Sequence, residues 1–566
     1  MTKVALRSLG TTSFPCHSER RAEGPQSRNL HSLGMTVGAC ALLALLAACG
    51  SPATHTAAAP STIAASGTNA PGLVVMIVVD QFREPYLERY GDLFSGGFRR
   101  LLDHGRFYTR ATHDHAITET AVGHATLSTG VYPMHHGIVA NDWGERTKKG
   151  WVDVSNVGDS TVRIVGSPNQ MGVSPHSLMR TGLADWIAAA NSRSQIASVS
   201  AKDRGAVLPA AHAKGQVYWF SAGAGRFVTS TYYRRAYPGW TNDLVAHVQA
   251  PYLRDSVWAS VIPAAALARA TADSESYEGD GVHTAFPHRF ADEGRPGRFW
   301  DWLASTPMLD ALTLDFARTM VQSLELGRDD APDFLNVSLS QTDRIGHAYG
   351  PLSREQLDNL LRLDRELGEF FAFLDTAVGA GRWVVALSAD HGALSAPETL
   401  PQPGEPDAGH RATEEDRSAL TAILMGPEQG TNAVPTPDSV AAALKRLPFV
   451  ADAYTHEQLL HGTLADSFAV LERRSLYPGR AAAEGSRLGV EIRYIPGFLI
   501  AVKGSGHGTP YWYDRHVPMI FMGPGISAGR DSTRAATVDF APTLARLLGV
   551  KTPADLDGHP LTGVVK

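Results

Sequence analysis

Leu73-Val-Val-Met-Ile-Val-Val79 is an unbroken run of seven apolar residues that stops at Asp80. It is short and rich in β-branched side chains, the pattern of a strand buried on both faces of a parallel sheet. Similar runs occur at Gln195–Ser200, Phe334–Leu339, Trp383–Leu387 and Val517–Met522. Helical patterns lie around Tyr86–His104, Arg354–Leu374 and Phe540–Leu548. In the second, Ser353 and Gln356 have capping-box spacing, and Leu357, Leu360, Leu361, Leu367, Phe371 and Leu374 form one apolar stripe. Strands alternating with helices predict an α/β fold with a mostly parallel central sheet flanked by helices. Two stretches break the rhythm. Residues 207–300 are rich in Tyr, Trp, Arg and Gly, and residues 429–503 read as a small separate unit. Both are expected as cap insertions on a catalytic domain spanning 73–566.

The rest of the 566-residue chain sets its context. Hydrophobic residues make up 43% and charged residues 19%, an ordinary globular balance that excludes wholesale disorder. The net charge is −6, and no run of Lys or Arg stands out, which argues against nucleic acid as a partner. The apolar stretch Val37–Ala48 is twelve residues long, too short to span a bilayer as a helix but suited to a signal peptide. Residues 1–48 are therefore read as that signal. Leu46-Ala47-Ala48-Cys49 matches a bacterial lipobox, whose cysteine carries lipid after cleavage. Residues 49–72, rich in Ala, Ser, Thr and Pro, read as a flexible tether behind the lipidated Cys49. The expected location is the periplasm, anchored to a membrane only through Cys49, with the outer membrane favoured by Gly50. Cys16, Cys40 and Cys49 are the only cysteines, so the body of the protein forms no internal disulfide.

Ligands in open α/β sheets bind outside the carboxyl ends of the strands. Asp80 follows the first strand, Asp343 the strand Phe334–Leu339, and Asp390-His391 the strand Trp383–Leu387. His347 lies four residues after Asp343, on the same face of a helical turn. His507 sits in a glycine-rich loop, Gly504-Ser-Gly-His-Gly508. Three carboxylates and three imidazoles suit zinc, and two ions about 3.5–4 Å apart form a standard arrangement for phosphoryl transfer. Two divalent ions among three carboxylates leave a net positive site in an acidic protein, attractive to a phosphate dianion. Thr120 opens a helix in Thr118-Glu-Thr120-Ala-Val-Gly-His124. Its hydroxyl is either a helix cap or a nucleophile activated by base or metal, and the N–H groups beside it are suited to phosphate oxygens.

Asp80, Thr120-Ala-Val-Gly-His124, Asp343-x-x-x-His347, Asp390-His391 and His507-Gly-Thr-Pro510 occur in the order that resembles the alkaline phosphatase superfamily. The likeness spans about Leu73 to Gly549 and is greatest to the threonine-nucleophile branch. That branch contains PafA-like alkaline phosphatases and type I phosphodiesterases/nucleotide pyrophosphatases. The resemblance implies an alkaline-phosphatase-like core with two Zn²⁺ ions, other divalent metals being possible. Asp343, His347 and His507 would hold one ion; Asp80, Asp390 and His391 the other, with the Thr120 oxygen as a further ligand. Thr120 would attack phosphorus to form a phosphothreonine, which water then hydrolyses. His124 is assigned to packing or helix hydrogen bonds.

Asn141, Lys202 and Arg204 resemble the phosphate-oxygen contacts of the PafA-like monoesterases. If the chain stays extended after Ser200, Lys202 and Arg204 share a face and reach one ligand together. A monoester dianion carries one more charged oxygen than a diester, which Lys and Arg favour. The expected activity is hydrolysis of a broad range of small phosphomonoesters. The alternatives are a nucleotide pyrophosphatase/phosphodiesterase on the same scaffold, or a non-catalytic phosphate- or zinc-binding lipoprotein. Sulfatases need a Cys or Ser where Thr120 stands, and phosphoglycerate mutases of the metal-dependent type use serine.

Overall fold

The computed structural model describes residues 71–241, 256–294, 299–425, 435–464, 466–482 and 485–564. The signal, lipobox and most of the tether expected at 1–72 lie outside the described residues. Nine strands form the main sheet: β1 (Leu73–Val79), β2 (Arg106–Thr112), β3 (Ile196–Ser200), β4 (Gln216–Ser221), β5 (Arg226–Val228), β6 (Asp333–Leu339), β7 (Trp383–Ser388), β8 (His516–Met522) and β9 (Gly529–Ala536). Their spatial order is β9-β2-β8-β7-β1-β6-β3-β4-β5. The central run β7-β1-β6-β3-β4 is parallel throughout, while β8 lies antiparallel to both its neighbours.

β1 sits at the middle of this sheet, which accounts for its unbroken apolar run. Val75, Ile77 and Val79 enter a core on one face, with helices α3 (Met308–Ser323) and α5 (Arg354–Leu374). Val74, Met76 and Val78 enter a separate core on the other, with Leu183–Ala190 and α6 (Phe540–Leu547). Both alternating sets are buried, so neither can be polar. In α5 the Ser353 hydroxyl accepts the Gln356 N–H at 3.1 Å, but the Gln356 side chain turns to the Thr342 carbonyl at 2.8 Å instead of closing the box. Leu361 is only half-buried, whereas Leu357, Leu360, Leu367, Phe371 and Leu374 are fully covered.

Three expectations are corrected. The helix read over Tyr86–His104 is two helices, Pro85–Arg89 and Gly97–His104. The break is held by Asp364, which accepts the N–H groups of Ser95, Gly96 and Phe98 at 2.7–2.8 Å, and Gly96 and Gly97 pack against the backbone of α5. Residues 216–228 do not belong to an insertion: β4 and β5 extend the main sheet, their apolar face supplied by Tyr218, Phe220 and Phe227. The chain after Ser200 turns into helix α2 (Asp203–Ala210) directly after Lys202, so the extended geometry expected for Lys202 and Arg204 does not occur. Among residues 412–500, a small core of its own gathers Leu420, Leu444, Phe449, Val490 and Phe498.

Candidate active site

Strand register sets the frame of the site. Val78, Ser388, Ser338 and Ser200 form one row across β1, β7, β6 and β3. Two residues further along these chains come Asp80, Asp390, Ser340 and Lys202. The carboxyl edge of the parallel strands therefore presents two acids and an amine side by side. Helix α4 (Gln341–Tyr349) starts at the same edge and carries Asp343 and His347 on one face. The Gly504–Gly508 loop brings His507 in from the far end of the chain.

These groups converge into two triplets. In one, His391 Nε2 lies 3.4 Å from Asp80 Oδ1 and 3.6 Å from Asp390 Oδ2. In the other, His347 Nε2 lies 3.1 Å from both Asp343 Oδ1 and His507 Nε2, and His507 Nε2 lies 3.5 Å from Asp343 Oδ1. The His391 and His507 rings stack at 3.6 Å and join the triplets. Asp343, His391 and His507 also form a group with metal-ligand spacing, so the two sites share a border.

The donor set fits divalent metals on two counts. Asp80 Oδ1 and His391 Nε2 are buried without a hydrogen-bond partner, and Asp390 Oδ2 has no more than the 3.3 Å approach of His124 Nδ1, a costly state for three polar atoms aimed at one another. In addition, Nδ1 of His347, His391 and His507 each meets a backbone carbonyl, of Ser505, Gly392 and Thr118, at 2.7–2.9 Å. That fixes the tautomer and aims each Nε2 inward, as metal-ligating histidines require.

Charge is balanced tightly around this edge. Burial, with the Asp390 carboxylate adding to it, pushes the Asp80 carboxyl up to about 7, against the pull of Lys202. Burial also acts on Asp343, but Lys202 and then His347 outweigh it and hold that carboxyl well below its usual range. Lys202 Nζ stands 2.5 Å from Asp80 Oδ2 and from Asp343 Oδ2, and 3.4 Å from Thr120 Oγ1. Burial disfavours the ammonium, but Asp343 and Asp80 more than compensate and keep it charged.

Thr120 is the first residue of helix α1 (Thr120–Thr129) and is 2% exposed, its oxygen facing Lys202. It makes no capping bond; Glu119 occupies the cap position. The Ala121 N–H, one of those expected to face phosphate, is taken at 3.0 Å by Asn141 Oδ1. That bond turns the Asn141 amide so that its NH₂ group remains as the donor. Glu119 Oε2 in turn accepts the Asn141 N–H at 2.5 Å. Arg204, on the first turn of α2, places its charge where it acts on Lys202, Glu119 and Asp142. His124 Nδ1 lies 2.8 Å from the Thr120 carbonyl and 3.3 Å from Asp390 Oδ2, while Nε2 meets Ser338 Oγ at 2.9 Å. It links α1 to the sheet, in line with the role read for it.

Gln81 is a site residue that sequence reasoning passed over. Its N–H donates to Asp390 Oδ1 at 3.1 Å and its amide to Asp343 Oδ1 at 2.9 Å, so it spans both triplets. It does so in a left-handed backbone conformation, φ 62°, rarely accepted by a residue other than glycine. Its position directly after Asp80 was the available signal. Gln81→Ala is expected to weaken metal retention about 10–100-fold, the usual cost of losing a group that orients ligands. Titration with a chelator, read by metal analysis, checks this; unchanged retention would show that the acids hold their places unaided.

The profile of the family described as type I phosphodiesterase / nucleotide pyrophosphatase matches residues 74–489. The alkaline phosphatase PhoV of Synechococcus elongatus is 32% identical, covering 88% of this chain and 93% of its own. The alkaline phosphatase PafA of Elizabethkingia meningoseptica is 32% identical, covering 89% and 96%. A crystal structure of wild-type PafA superimposes with a TM-score of 0.76 at 30% identity, over 88% of this chain and all of that one. A PafA variant substituted at a threonine, an asparagine, a lysine and an arginine superimposes at 0.75, with 28% identity and the same coverage. On sequence and on fold together, the chain belongs to the type I phosphodiesterase / nucleotide pyrophosphatase family and is an alkaline-phosphatase-type phosphomonoesterase.

Proposed function

We propose that the chain hydrolyses a broad range of small phosphate monoesters by attack of the Thr120 alcohol on phosphorus. The single observation that carries this reading is the meeting of Lys202 Nζ, Thr120 Oγ1 and the two acid–imidazole triplets at one strand edge. Asp80, Asp390 and His391 would hold one divalent ion and Asp343, His347 and His507 a second. When bound, these ions, with zinc the best match to the donors, supply the positive charge that lowers the alcohol's pKa and offsets charge on the phosphate oxygens.

The Thr120 oxygen displaces the ester oxygen from phosphorus, and the leaving alcohol takes up a proton. Water then cleaves the phosphothreonine, releasing inorganic phosphate and restoring Thr120. The chain's own contribution is mainly positioning and charge, as the loose transition state of phosphoryl transfer demands. Lys202 meets the phosphate from beside the nucleophile. Asn141, oriented by Ala121 and Glu119, donates from beside the start of the helix that carries Thr120. Arg204 offers a planar fork matched to two phosphate oxygens. The same four residue types as Thr120, Asn141, Lys202 and Arg204 are those substituted in the PafA variant, which supports this assignment.

The family's phosphodiesterase description favours the second reading, a diesterase on the same scaffold. The two part on Lys202 and Arg204. Lys202→Ala and Arg204→Ala should each lower kcat/KM for an aryl phosphate about 10–100-fold, the value of one charge-assisted hydrogen bond. Loss on a methyl aryl phosphate diester should be much smaller. Equal losses on both substrates would favour the diesterase. A non-catalytic binder would instead hold phosphate tightly without turnover.

The lipidated Cys49 and a periplasmic, membrane-anchored location belong to the same proposal. Among the described residues no helix is long and apolar enough to cross a membrane. Cys49→Ser should therefore move the protein from the membrane fraction to the soluble fraction of the expressing bacterium with unchanged specific activity. A protein still held in the membrane fraction would call for another anchor.

A further inference from the structure

A second group of metal-type donors lies outside the active site, in the loop running from Thr271 to Arg289. Asp280, His283 and His288 place one ligand atom each within 4.8 Å of one another. The loop is shaped around them. Asp280 Oδ1 accepts the N–H groups of Val282 and His283 at 2.8 and 2.7 Å, and Oδ2 lies 3.1 Å from His283 Nδ1. The far nitrogen of each imidazole is anchored: His283 Nε2 lies 3.2 Å from the Arg289 carbonyl and His288 Nε2 lies 3.0 Å from Glu355 Oε1. A carbonyl or carboxylate behind each ring is the usual support of a metal-binding histidine. The two rings stack at 5.0 Å with 12° between their planes, and the Tyr349 hydroxyl reaches His288 Nδ1 at 3.2 Å.

Two buried carboxyl groups stand beside the cluster, each satisfied at only one oxygen. Glu355 is fully buried with Oε2 lacking a partner, and Glu278, 1% exposed, has Oε1 in the same state. Buried carboxylates of this kind are normally paired or serve a cation. With two imidazoles and one carboxylate as donors, the fitting cation is of the zinc class and not calcium or magnesium, which prefer oxygen.

We propose that Asp280, His283 and His288 bind a third divalent transition-metal ion, one that holds the 271–289 loop in the shape in which it packs on the helix carrying Asp343 and His347. The attachment points are visible. Tyr349 is the last residue of α4, Gly279 N–H donates to the Ala348 carbonyl at 2.9 Å, and Gly504 N–H donates to the Tyr277 carbonyl at 2.7 Å. The loop thus touches both the helix that bears His347 and the start of the turn that bears His507. The ion is structural: none of its donors belongs to either active-site triplet.

The test is cobalt and zinc loading of the full chain. Metal-free wild type, Asp280→Asn and His283→Gln are loaded with Zn²⁺ alone, desalted and analysed for metal. Each variant is expected to hold one ion per chain fewer than wild type; equal contents in all three overturn the proposal. Wild type loaded with Co²⁺ provides a measurement independent of how the variants fold. Saturating inorganic phosphate should shift the visible bands of cobalt in the active site and leave one cobalt band unmoved. A protein in which phosphate shifts every cobalt band has no third site. If no band responds to phosphate, the active-site reading fails while the loop site stands.

Discussion

Replacing Thr120 by alanine is expected to lower turnover of an aryl phosphate by about 10³-fold or more, because a covalent route loses its attacking atom. Metal content should stay near that of wild type, since both triplets are complete without the threonine side chain. Thr120→Ser should keep most of the activity. The geometry also says which nearby hydroxyl is not the nucleophile. Thr118 Oγ1 donates to the Thr509 carbonyl at 3.1 Å and accepts the Gly508 N–H at 3.2 Å, and it is fully buried. Its task is to hold the turn that carries His507. Thr118→Ala should thus disturb metal retention before chemistry, the reverse of Thr120→Ala. Acid quenching during turnover should trap phosphate on wild type and not on Thr120→Ala. Wild-type turnover in Thr120→Ala would remove the threonine from the reaction.

Much of this site could be read from one rule. A parallel strand buried on both faces is continuous and apolar, so a charged residue ending it stands out. Asp80 follows such a run directly, Asp390 comes three residues after Leu387 with His391 next to it, and the register of β1 with β7 sets Asp80 beside Asp390. Arg204 was legible as a residue but not as geometry. A short polar link after β3 gives no sign that it enters a helix at Asp203. Gln81 was missed because its role lies in its backbone: a left-handed turn has no signature when glycine is absent. β4 and β5 were misplaced because their packing face is aromatic. Tyr218, Phe220 and Phe227 meet Phe316 and Trp300 from other elements, contacts that have no period in the local sequence. Two antiparallel hairpins, Asp142–Thr147 with Gly150–Ser155 and Gly158–Ile164 with Ser167–Val173, also escaped notice. Their strands are largely exposed and polar, so alternation is weak.

The glycine within Thr120-Ala-Val-Gly-His124 gives the strongest prediction away from the reacting atoms. α1 crosses the end of β7 so closely that a Cβ on Gly123 would collide with the Asp390 carbonyl and come within 2.6 Å of its carbon and Cα. Those are backbone atoms of a proposed metal ligand and cannot step aside as a flexible side chain could. An added methyl must therefore shift α1, Asp390 or both. Because Thr120 opens that helix and His124 bridges it to Asp390 Oδ2 at 3.3 Å, any shift changes the distance between nucleophile and ligand. Gly123→Ala should cost about 1–3 kcal/mol of stability through overpacking. It should also lower kcat/KM about 10²-fold, the penalty of roughly an ångström of misplacement at a reacting group. Denaturant unfolding and steady-state kinetics on the same sample separate the two effects. Ala125, on the same helix but directed into an apolar cluster with Val122 and Ile138, supplies the control: Ala125→Gly should lose stability while kcat stays close to wild type. If Gly123→Ala loses stability alone and keeps full turnover, then close approach of α1 to Asp390 is a packing feature and does not set the position of Thr120.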